Sequence, residues 1–166
     1  MFNFREAGIN DIPQIRDLTF RVWPQTYASI LTPEQVDYML DMMYSEASLQ
    51  KQMENGSRFI IIYRDETPVG FAAFFLYKME SIYKLDKIYI LPDQQGKGTG
   101  QALLNQVIES VTEKGGRSLL LNVNRHNKAR GFYEKNGFEI IEEGDFDIGN
   151  GYYMNDYIME KKLGNQ

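Results

Sequence analysis

A strand-like segment that leads through three alternating glycines into a helix constrains this chain more than any other feature. Gly96, Gly98 and Gly100 follow an apolar run at 88–91 and stand at the start of an amphipathic segment. Glycine has no Cβ, so backbone N–H groups in such a loop converge on one anion, where the helix N-terminus adds partial positive charge. The segment therefore predicts a loop that binds phosphate.

The spacing of the glycines excludes three other phosphate loops. A P-loop places Ser or Thr directly after its lysine, whereas Lys97 is followed by Gly98. A dinucleotide-binding loop has glycine where this chain has Gln101, and it opens an early βαβ unit rather than following several strands. The chain contains no His-Arg-Asp sequence, which excludes a protein-kinase catalytic loop.

Apolar residues follow helical spacing in some segments of the chain and every-second-residue spacing in others. No repeat, low-complexity tract or linker interrupts the sequence. The pattern predicts strands at 3–6, 58–63, 69–77, 82–91, 118–123, 138–142 and 152–159, with a loop over 144–151. It predicts helices at 12–22, 33–53, 98–114 and 127–136, the last ending at Gly137 in a left-handed cap. This order is typical of an α/β fold with three layers around a mixed sheet, in a single domain over residues 1–166.

Charge and composition exclude several functions. Lys and Arg total 18 against 23 Asp and Glu, a net charge of −5 at pH 7, so we expect no nucleic-acid partner. There is no cysteine and one histidine, His126, which excludes thiolate chemistry and multi-histidine zinc sites; we expect no metal, although a carboxylate-rich site stays open. Neither a secretory leader nor a membrane-spanning run is found, so we expect a cytoplasmic protein with no membrane partner.

Two motifs in the second half of the chain carry a family resemblance. The loop reads Gln95-x-x-Gly98-x-Gly100, and residues 127–138 read NKARGFYEKNGF. In this order and separation they resemble the GNAT superfamily of acetyl-CoA-dependent N-acyltransferases, over about a third of the chain. The resemblance implies a GNAT-like fold with a central mixed, mostly antiparallel sheet flanked by helices. A glycine turn beside a capped helix is the structural alternative.

The resemblance also implies which residues bind acetyl-CoA. The pyrophosphate would lie on the loop amides of Gln95, Gly96, Lys97, Gly98, Thr99 and Gly100. The pantetheine arm would pair with the edge of the strand residues Ile88, Tyr89 and Ile90. The N–H at or near Ile90 would then stabilise the oxyanion. Asn127 would hydrogen bond the arm, cap its helix or do both, and Lys97 and Arg130 would face the phosphates.

Two residues are candidates for the proton transfers. Tyr133 matches the general acid of the family, which protonates the departing CoA thiolate; aromatic packing is the alternative. Asp86 is the candidate base, directly or through a water, because period-two alternation places it on the strand face of Ile88 and Ile90. It also matches an acidic residue of the polyamine-acetylating branch, where Glu is more usual; a solvated carboxylate is the alternative. For His126 we expect a surface or capping role.

Aromatic residues suggest the nature of the acceptor. In the superfamily the first two helices and the last strands shape the acceptor pocket, which makes Trp23, Tyr27 and Tyr152 candidates, with core packing as the alternative. Together with Asp86 they would orient a cationic amine, so we expect a small-molecule amine or polyamine acceptor. A protein N-terminal amine, and a CoA-binding module without turnover, are the alternatives. We expect a monomer or a homodimer.

Overall fold

A seven-stranded sheet forms the middle layer of the protein in the computed structural model, which describes residues 1–79 and 81–164. The strands are β1 (Phe2–Ala7), β2 (Arg58–Arg64), β3 (Thr67–Lys78), β4 (Ile82–Ile90), β5 (Ser118–Asn124), β6 (Glu139–Gly149) and β7 (Tyr152–Lys162). The helices are α1 (Ile12–Tyr27), α2 (Pro33–Tyr44), α3 (Glu46–Glu54), α4 (Thr99–Glu113) and α5 (Ala129–Lys135). No helix within those described ranges is long and apolar enough to cross a membrane.

The sheet is mixed and mostly antiparallel, as the family resemblance implies. Its strand order is β1-β2-β3-β4-β5-β7-β6, and each neighbouring pair is antiparallel except β4 and β5, which run parallel. The connection between those two strands contains α4, because parallel neighbours need a long crossover. Helices α1, α2 and α3 cover one face and α4 and α5 the other, which confirms the three layers.

The strands β4 and β5 separate from one another halfway along β4. Their pairing runs from Ile82 opposite Ser118 to Leu85 opposite Leu121 and goes no further. Beyond that point β4 continues to Ile90 against β3, and β5 continues to Asn124 against β7. A wedge-shaped opening therefore forms in the middle of the sheet, with a free strand edge on each side.

Two apolar layers hold the helices on the sheet. One takes a stripe of four buried side chains from α4, namely Leu103, Leu104, Val107 and Val111. The other takes buried side chains from α1, α2 and α3, among them Ile15, Leu18, Met39 and Leu49. Within β2, Ile60 and Ile62 face the first layer whereas Phe59 and Ile61 face the second. This alternation explains why a continuous apolar run marks a strand that is covered on both sides.

The helix predicted over 33–53 is two helices, so that prediction is wrong. Ser45 separates α2 from α3 with an extended backbone, φ −64° and ψ 156°. Its side-chain oxygen accepts a hydrogen bond from the Ser48 N–H at 3.2 Å and thereby caps α3. Serine competes for backbone N–H groups in this way, which favours the start of a new helix over continuation of the old one.

The strand predicted at 138–142 is also wrong in extent, because β6 runs from Glu139 to Gly149 and includes most of the predicted loop. Asn150 and Gly151 form the turn into β7 with φ of +54° and +80°. Two central residues with positive φ make the hairpin turn whose twist matches that of the strands it joins. The alternation of Phe146 and Ile148 with acidic residues is the sequence signal for this longer strand.

The ends of two other helices differ from the prediction. α1 continues through Pro24 to Tyr27, and α5 begins at Ala129 rather than at residue 127. Asn127 lies before α5, where its side-chain oxygen accepts a hydrogen bond from the Ala129 N–H at 2.9 Å. Gly137 has a φ of +89° at the end of α5, which confirms the left-handed cap.

Replacing Ser45 tests the break between α2 and α3. Ser45→Ala removes the acceptor for the Ser48 N–H, so we expect the free energy of unfolding to fall by about 1 kcal/mol. Ser45→Asp keeps an acceptor oxygen at the same place and adds a favourable charge at the helix N-terminus, so it serves as the matched control. Urea unfolding followed by circular dichroism measures both variants. An Ala variant as stable as the Asp variant would contradict the capping role.

Candidate active site

The opening between β4 and β5 widens into a cleft of about 740 Å³. Residues 84–90 of β4 and 121–124 of β5 form its two edges. Tyr27 of α1, Phe132 and Tyr133 of α5, and Phe146 and Asp156 of the β6–β7 hairpin complete the walls. The glycine loop and the first turn of α4 close one end. The cleft therefore joins the two helical layers through the gap in the sheet.

The glycine loop presents free backbone to the cleft. Gly96 and Gly98 have φ of +77° and +79°, and a Cβ built at either position would meet no atom within 4 Å. Gly98 is the N-cap of α4, so the N–H groups that follow it have no partner within the helix. Converging N–H groups and the helix dipole together are features that suit this end of the cleft to a phosphate group.

Gln94, which the sequence analysis did not single out, also lines the cleft and fixes this loop through side-chain hydrogen bonds. Its buried side-chain oxygen accepts hydrogen bonds from Arg64 Nε at 3.1 Å and from the Thr99 hydroxyl at 3.0 Å. Arg64 also donates to the Lys97 carbonyl at 3.3 Å. The Thr99 hydroxyl thus holds the loop, and only the backbone of Thr99 faces an anion. Because Arg64 comes from β2, no local pattern indicates this contact.

The edge of β4 offers a backbone donor to the cleft. The Leu91 N–H donates to the Val69 carbonyl of β3 at 2.9 Å. Successive N–H groups of an extended strand point to opposite edges, so the Ile90 N–H points away from β3 into the opening. The side chains of Ile88 and Ile90 pack in the α4 layer, whereas Tyr89 packs in the layer of α1.

The polar residues predicted to contact the cofactor divide into two groups. Asn127 lines the cleft, and its side-chain oxygen accepts the hydrogen bond from the Ala129 N–H at the start of α5. Lys97 and Arg130 are not part of the cleft lining within the described residues. The Arg130 guanidinium lies 5.3 Å from the centre of the Tyr157 ring, and its Nε is 3.9 Å from a Glu134 oxygen. The two cations therefore stand outside the cleft.

Tyr133 lies at the junction of α5 and the gap in the sheet. It is 7% exposed, and its ring packs 5.4 Å from Phe132 and 5.7 Å from Phe138. Its hydroxyl has no hydrogen-bond partner in the described part of the chain. Burial raises the pKa of Tyr133 well above its ordinary value, so the phenol stays protonated at neutral pH and has a proton to donate.

Aromatic rings pack closely on the other side of the gap. Trp23 lies 4.5 Å from Tyr27 and 6.0 Å from Tyr89, and the hydroxyls of the two tyrosines are 3.1 Å apart. All three residues line the cleft. Burial raises the pKa of Tyr27 and of Tyr89. These phenols therefore stay uncharged and make an aromatic wall.

Tyr152 does not reach this wall. Its ring packs 5.3 Å from Tyr38 of α2, whose hydroxyl donates to the Ile148 carbonyl at 2.8 Å. The cleft lining within the described residues does not include Tyr152. The β6–β7 hairpin instead contributes Phe146 and Met154, because the longer β6 shifts the turn and its tyrosines past the cleft.

Asp86 lies in the cleft at a bulge in β4. The prediction that it shares a strand face with Ile88 and Ile90 is therefore wrong. Ala73 of β3 pairs with Lys87 and the next residue pairs with Leu85, which leaves Asp86 as the extra residue. Its carboxylate forms an ion pair with Lys87 at 2.5 Å, on the α2 side of the sheet. Lys87 is only 5% exposed and also donates to Gln52 at 2.7 Å. The bulge interrupts the alternation that would have placed Asp86 beside Ile88.

Acidic side chains in the described part of the chain do not form a metal site. Within residues 1–79 and 81–164, no three His, Asp or Glu side chains come close enough together to hold a metal ion. Burial and the gap in the sheet are therefore the features that distinguish this cleft.

Comparisons with known proteins identify the class to which this site belongs. A family model described as an acetyltransferase (GNAT) domain matches residues 27–160. YhfO, an N-acetyltransferase of Bacillus subtilis (strain 168) whose name marks it as uncharacterized, is 32% identical over 143 residues, 82% of this chain and 89% of that protein. The chain belongs to the GNAT family of acetyltransferases. It is an N-acetyltransferase, and its cosubstrate is acetyl-CoA.

Two further relatives extend the comparison. The crystal structure of PaiA N-acetyltransferase from Thermoplasma acidophilum in complex with coenzyme A is 27% identical, with a TM-score of 0.82. That alignment covers 98% of this chain and 99% of the other. The [ribosomal protein bS18]-alanine N-acetyltransferase of Haemophilus influenzae is 44% identical over 69 residues, 42% of this chain and 44% of that protein. The free amides of the loop and the open edge of β4 fit the phosphates and the amide-bearing arm of CoA.

Replacing Gly98 tests the loop as the site for CoA. Gly98→Ala puts a Cβ in the left-handed region and shifts the N–H groups at the cleft, so we expect CoA to bind at least about tenfold more weakly. Gly115, at the far end of α4, has a φ of +82° and similarly open surroundings. Gly115→Ala is the matched control, with the same backbone cost of about 1–2 kcal/mol. Titration calorimetry measures both; equal weakening would contradict a specific role for the loop.

Proposed function

We propose that this acetyltransferase acts on the primary amine of a small cationic molecule such as a diamine or polyamine. The aromatic wall formed by Trp23, Tyr27 and Tyr89 is the observation that carries the proposal. Aromatic faces attract cations, most strongly where water is excluded. The cleft of about 740 Å³ must also hold the reactive end of acetyl-CoA, which favours a small acceptor over a long peptide.

The residues around the gap support direct attack of the amine on the thioester. The Ile90 N–H, which points into the opening, is the proposed donor to the carbonyl oxygen as negative charge develops there. Tyr133 is the proposed general acid, because it lines the cleft with a protonated hydroxyl that has no hydrogen-bond partner in the described part of the chain and can therefore turn to the expelled thiolate. In the proposed reaction, acetyl-CoA supplies the activated acetyl group and the chain supplies only placement and protons.

A protein N-terminal amine is the second candidate acceptor. It is favoured by the identity of 44% over 69 residues to the Haemophilus influenzae enzyme that acts on an alanine of ribosomal protein bS18. That identity covers less than half of either chain. The two candidates differ in what they require of the cleft, because a peptide needs an open groove along its length and a small amine needs an enclosing wall.

A thiol-release assay with acetyl-CoA and a panel of acceptors separates these possibilities. The panel contains diamines, polyamines, amino acids, aminoglycosides and peptides with a free N-terminus. We expect the highest kcat/KM for a diamine or polyamine. A clear preference for an N-terminal peptide would contradict the small-amine proposal. Binding of CoA without turnover of any acceptor would indicate a binding module rather than an enzyme of this specificity.

Replacing Tyr133 tests the proposed acid. Tyr133→Phe removes one hydroxyl and keeps the ring, so we expect kcat to fall by about 10²–10⁴-fold with the Kd for CoA unchanged. Tyr83→Phe is the matched control, since Tyr83 packs against the same apolar layer outside the cleft lining. Single-turnover kinetics measure the chemical step directly. An unchanged single-turnover rate in Tyr133→Phe would show that another group protonates the thiolate.

A further inference from the structure

A buried carboxylate lines the cleft with one oxygen unpaired. Asp156 of β7 is 1% exposed, and its Oδ1 has no hydrogen-bond partner within residues 1–79 and 81–164. Over the same residues, the other buried side-chain nitrogen or oxygen without such a bond is Trp23 Nε1, which is uncharged. The carboxylate oxygen is the costlier of the two to leave unpaired, because burial of charge is disfavoured far more than burial of an N–H.

No described side chain forms an ion pair with Asp156. Its Oδ2 accepts a hydrogen bond from Asn122 Nδ2 at 3.3 Å. Two cations influence it from a distance but have other contacts: Arg125 pairs with two carboxylates of β6, and the Lys84 ammonium lies 5.5 Å from the centre of the Tyr77 ring. Burial outweighs all three and raises the pKa of Asp156. The site thus holds a carboxylate that its own surroundings do not satisfy.

Asp156 faces the cleft from the side opposite Tyr133. It shares a face of β7 with Met154, which packs in the layer of α1, whereas Tyr133 belongs to the layer of α4. Tyr27 of α1 also lines the cleft, and burial, more than the charge of Asp156, raises its pKa. Opposite Asp156 in β6 stands Gly144, and the ring of Phe146 packs over that glycine.

The carboxylate of Asp86 is a weaker candidate for the same role. Its oxygen already pairs with the ammonium of the buried Lys87, which in turn is fixed by Gln52. A carboxylate that a fixed cation already neutralises attracts an incoming ammonium only weakly. Of these two acidic side chains in the cleft, Asp156 is therefore the one that lacks a cation.

We propose that Asp156 Oδ1 binds the ammonium group of the acceptor and takes a proton from it before attack. This assignment rests on the proposed function and identifies the residue that makes a cationic amine the preferred substrate. A charged donor at Oδ1 would satisfy the unpaired oxygen and offset its burial. The wall of Trp23, Tyr27 and Tyr89 would hold the rest of the acceptor beside it.

The step balances without any further reactant. The ammonium gives one proton to the Asp156 carboxylate, and the lone pair so freed forms the C–N bond at the thioester carbon. The C–S bond then breaks, and its electron pair leaves on sulfur, which takes the proton of Tyr133. The second amine proton passes to the Tyr133 oxygen and restores the phenol. The products are the amide, free CoA thiol and one proton, which Asp156 releases to solvent.

The same carboxylate is expected to lower the stability of the empty enzyme. Because the folded state raises the pKa of Asp156 above its ordinary value of 3.8, the folded protein binds more protons than the unfolded chain just above that pH. The contribution of Asp156 to the free energy of unfolding therefore falls as pH rises through this window and stays low at neutral pH. Lys84, Arg125 and Tyr27 are the ionisable groups that share its surroundings.

The test compares Asp156→Asn with Asp86→Asn. For Asp156→Asn we expect kcat/KM for the preferred amine to fall by about 10²–10⁴-fold, with the Kd for CoA unchanged and a higher unfolding temperature at pH 7.5. For Asp86→Asn we expect a smaller loss in kcat/KM than for Asp156→Asn. We also expect a lower unfolding temperature, because the buried Lys87 loses the carboxylate with which it forms an ion pair. Steady-state kinetics, calorimetry and thermal unfolding measure these quantities for both variants.

A second variant keeps the proposal testable if the Asn substitution perturbs the fold. Asp156→Ala leaves space at the cleft, so added formate should restore part of the lost rate, which a merely structural residue would not allow. Asp156→Asn with wild-type kcat/KM, or a larger loss in Asp86→Asn, would overturn the assignment while the proposed function stands. Wild-type enzyme that binds CoA but acetylates no amine would overturn both.

Discussion

The end of the pairing between β4 and β5 is the constraint on which the rest of this structure depends. Past Leu85 and Leu121 the two strands share no ladder, and the bulge at Asp86 turns β4 away. Strand edges inside a protein carry N–H and C=O groups that need partners. A ligand with an extended, amide-bearing arm supplies them. The gap in the sheet thus offers the unpaired backbone groups that the arm of CoA would need.

The gap also divides the chemistry between the two faces of the sheet. On the face of α4 and α5 stand the phosphate loop and Tyr133, the groups that bind the donor and receive the leaving sulfur in the proposed reaction. On the face of α1 stand the aromatic wall and Asp156, which suit a cationic amine. Tyr133, Tyr27 and Asp156 are buried, so the pKa of each is raised and the two phenols stay neutral. Donor and acceptor would thereby meet only in the gap.

The structural features that depend on neighbouring residues in the sequence were predictable. The features that depend on pairing between distant strands were not. The glycine loop and the motif at 127–138 together predicted the family, and the alternation and helical stripes predicted the layers. The bulge at Asp86 depends on its register with β3, and the position of Asp156 depends on pairing with β5 and β6. The anchoring of the loop by Arg64 likewise joins residues far apart in sequence. The prediction that Tyr152 lines the acceptor pocket was wrong, because the length of β6 sets where the tyrosines of the hairpin lie.

Backbone amide exchange with and without CoA tests the central claim, that the gap between β4 and β5 binds the cofactor. The Ile90 amide and the amides of residues 98–101 have no partner in the sheet or the helix. We predict that saturating CoA slows their exchange while amides of β1 and β2 are unchanged. CoA binding with no protection at Ile90, or with protection confined to the small pocket between β1 and α4 near Arg58 and Gln106, would contradict the account.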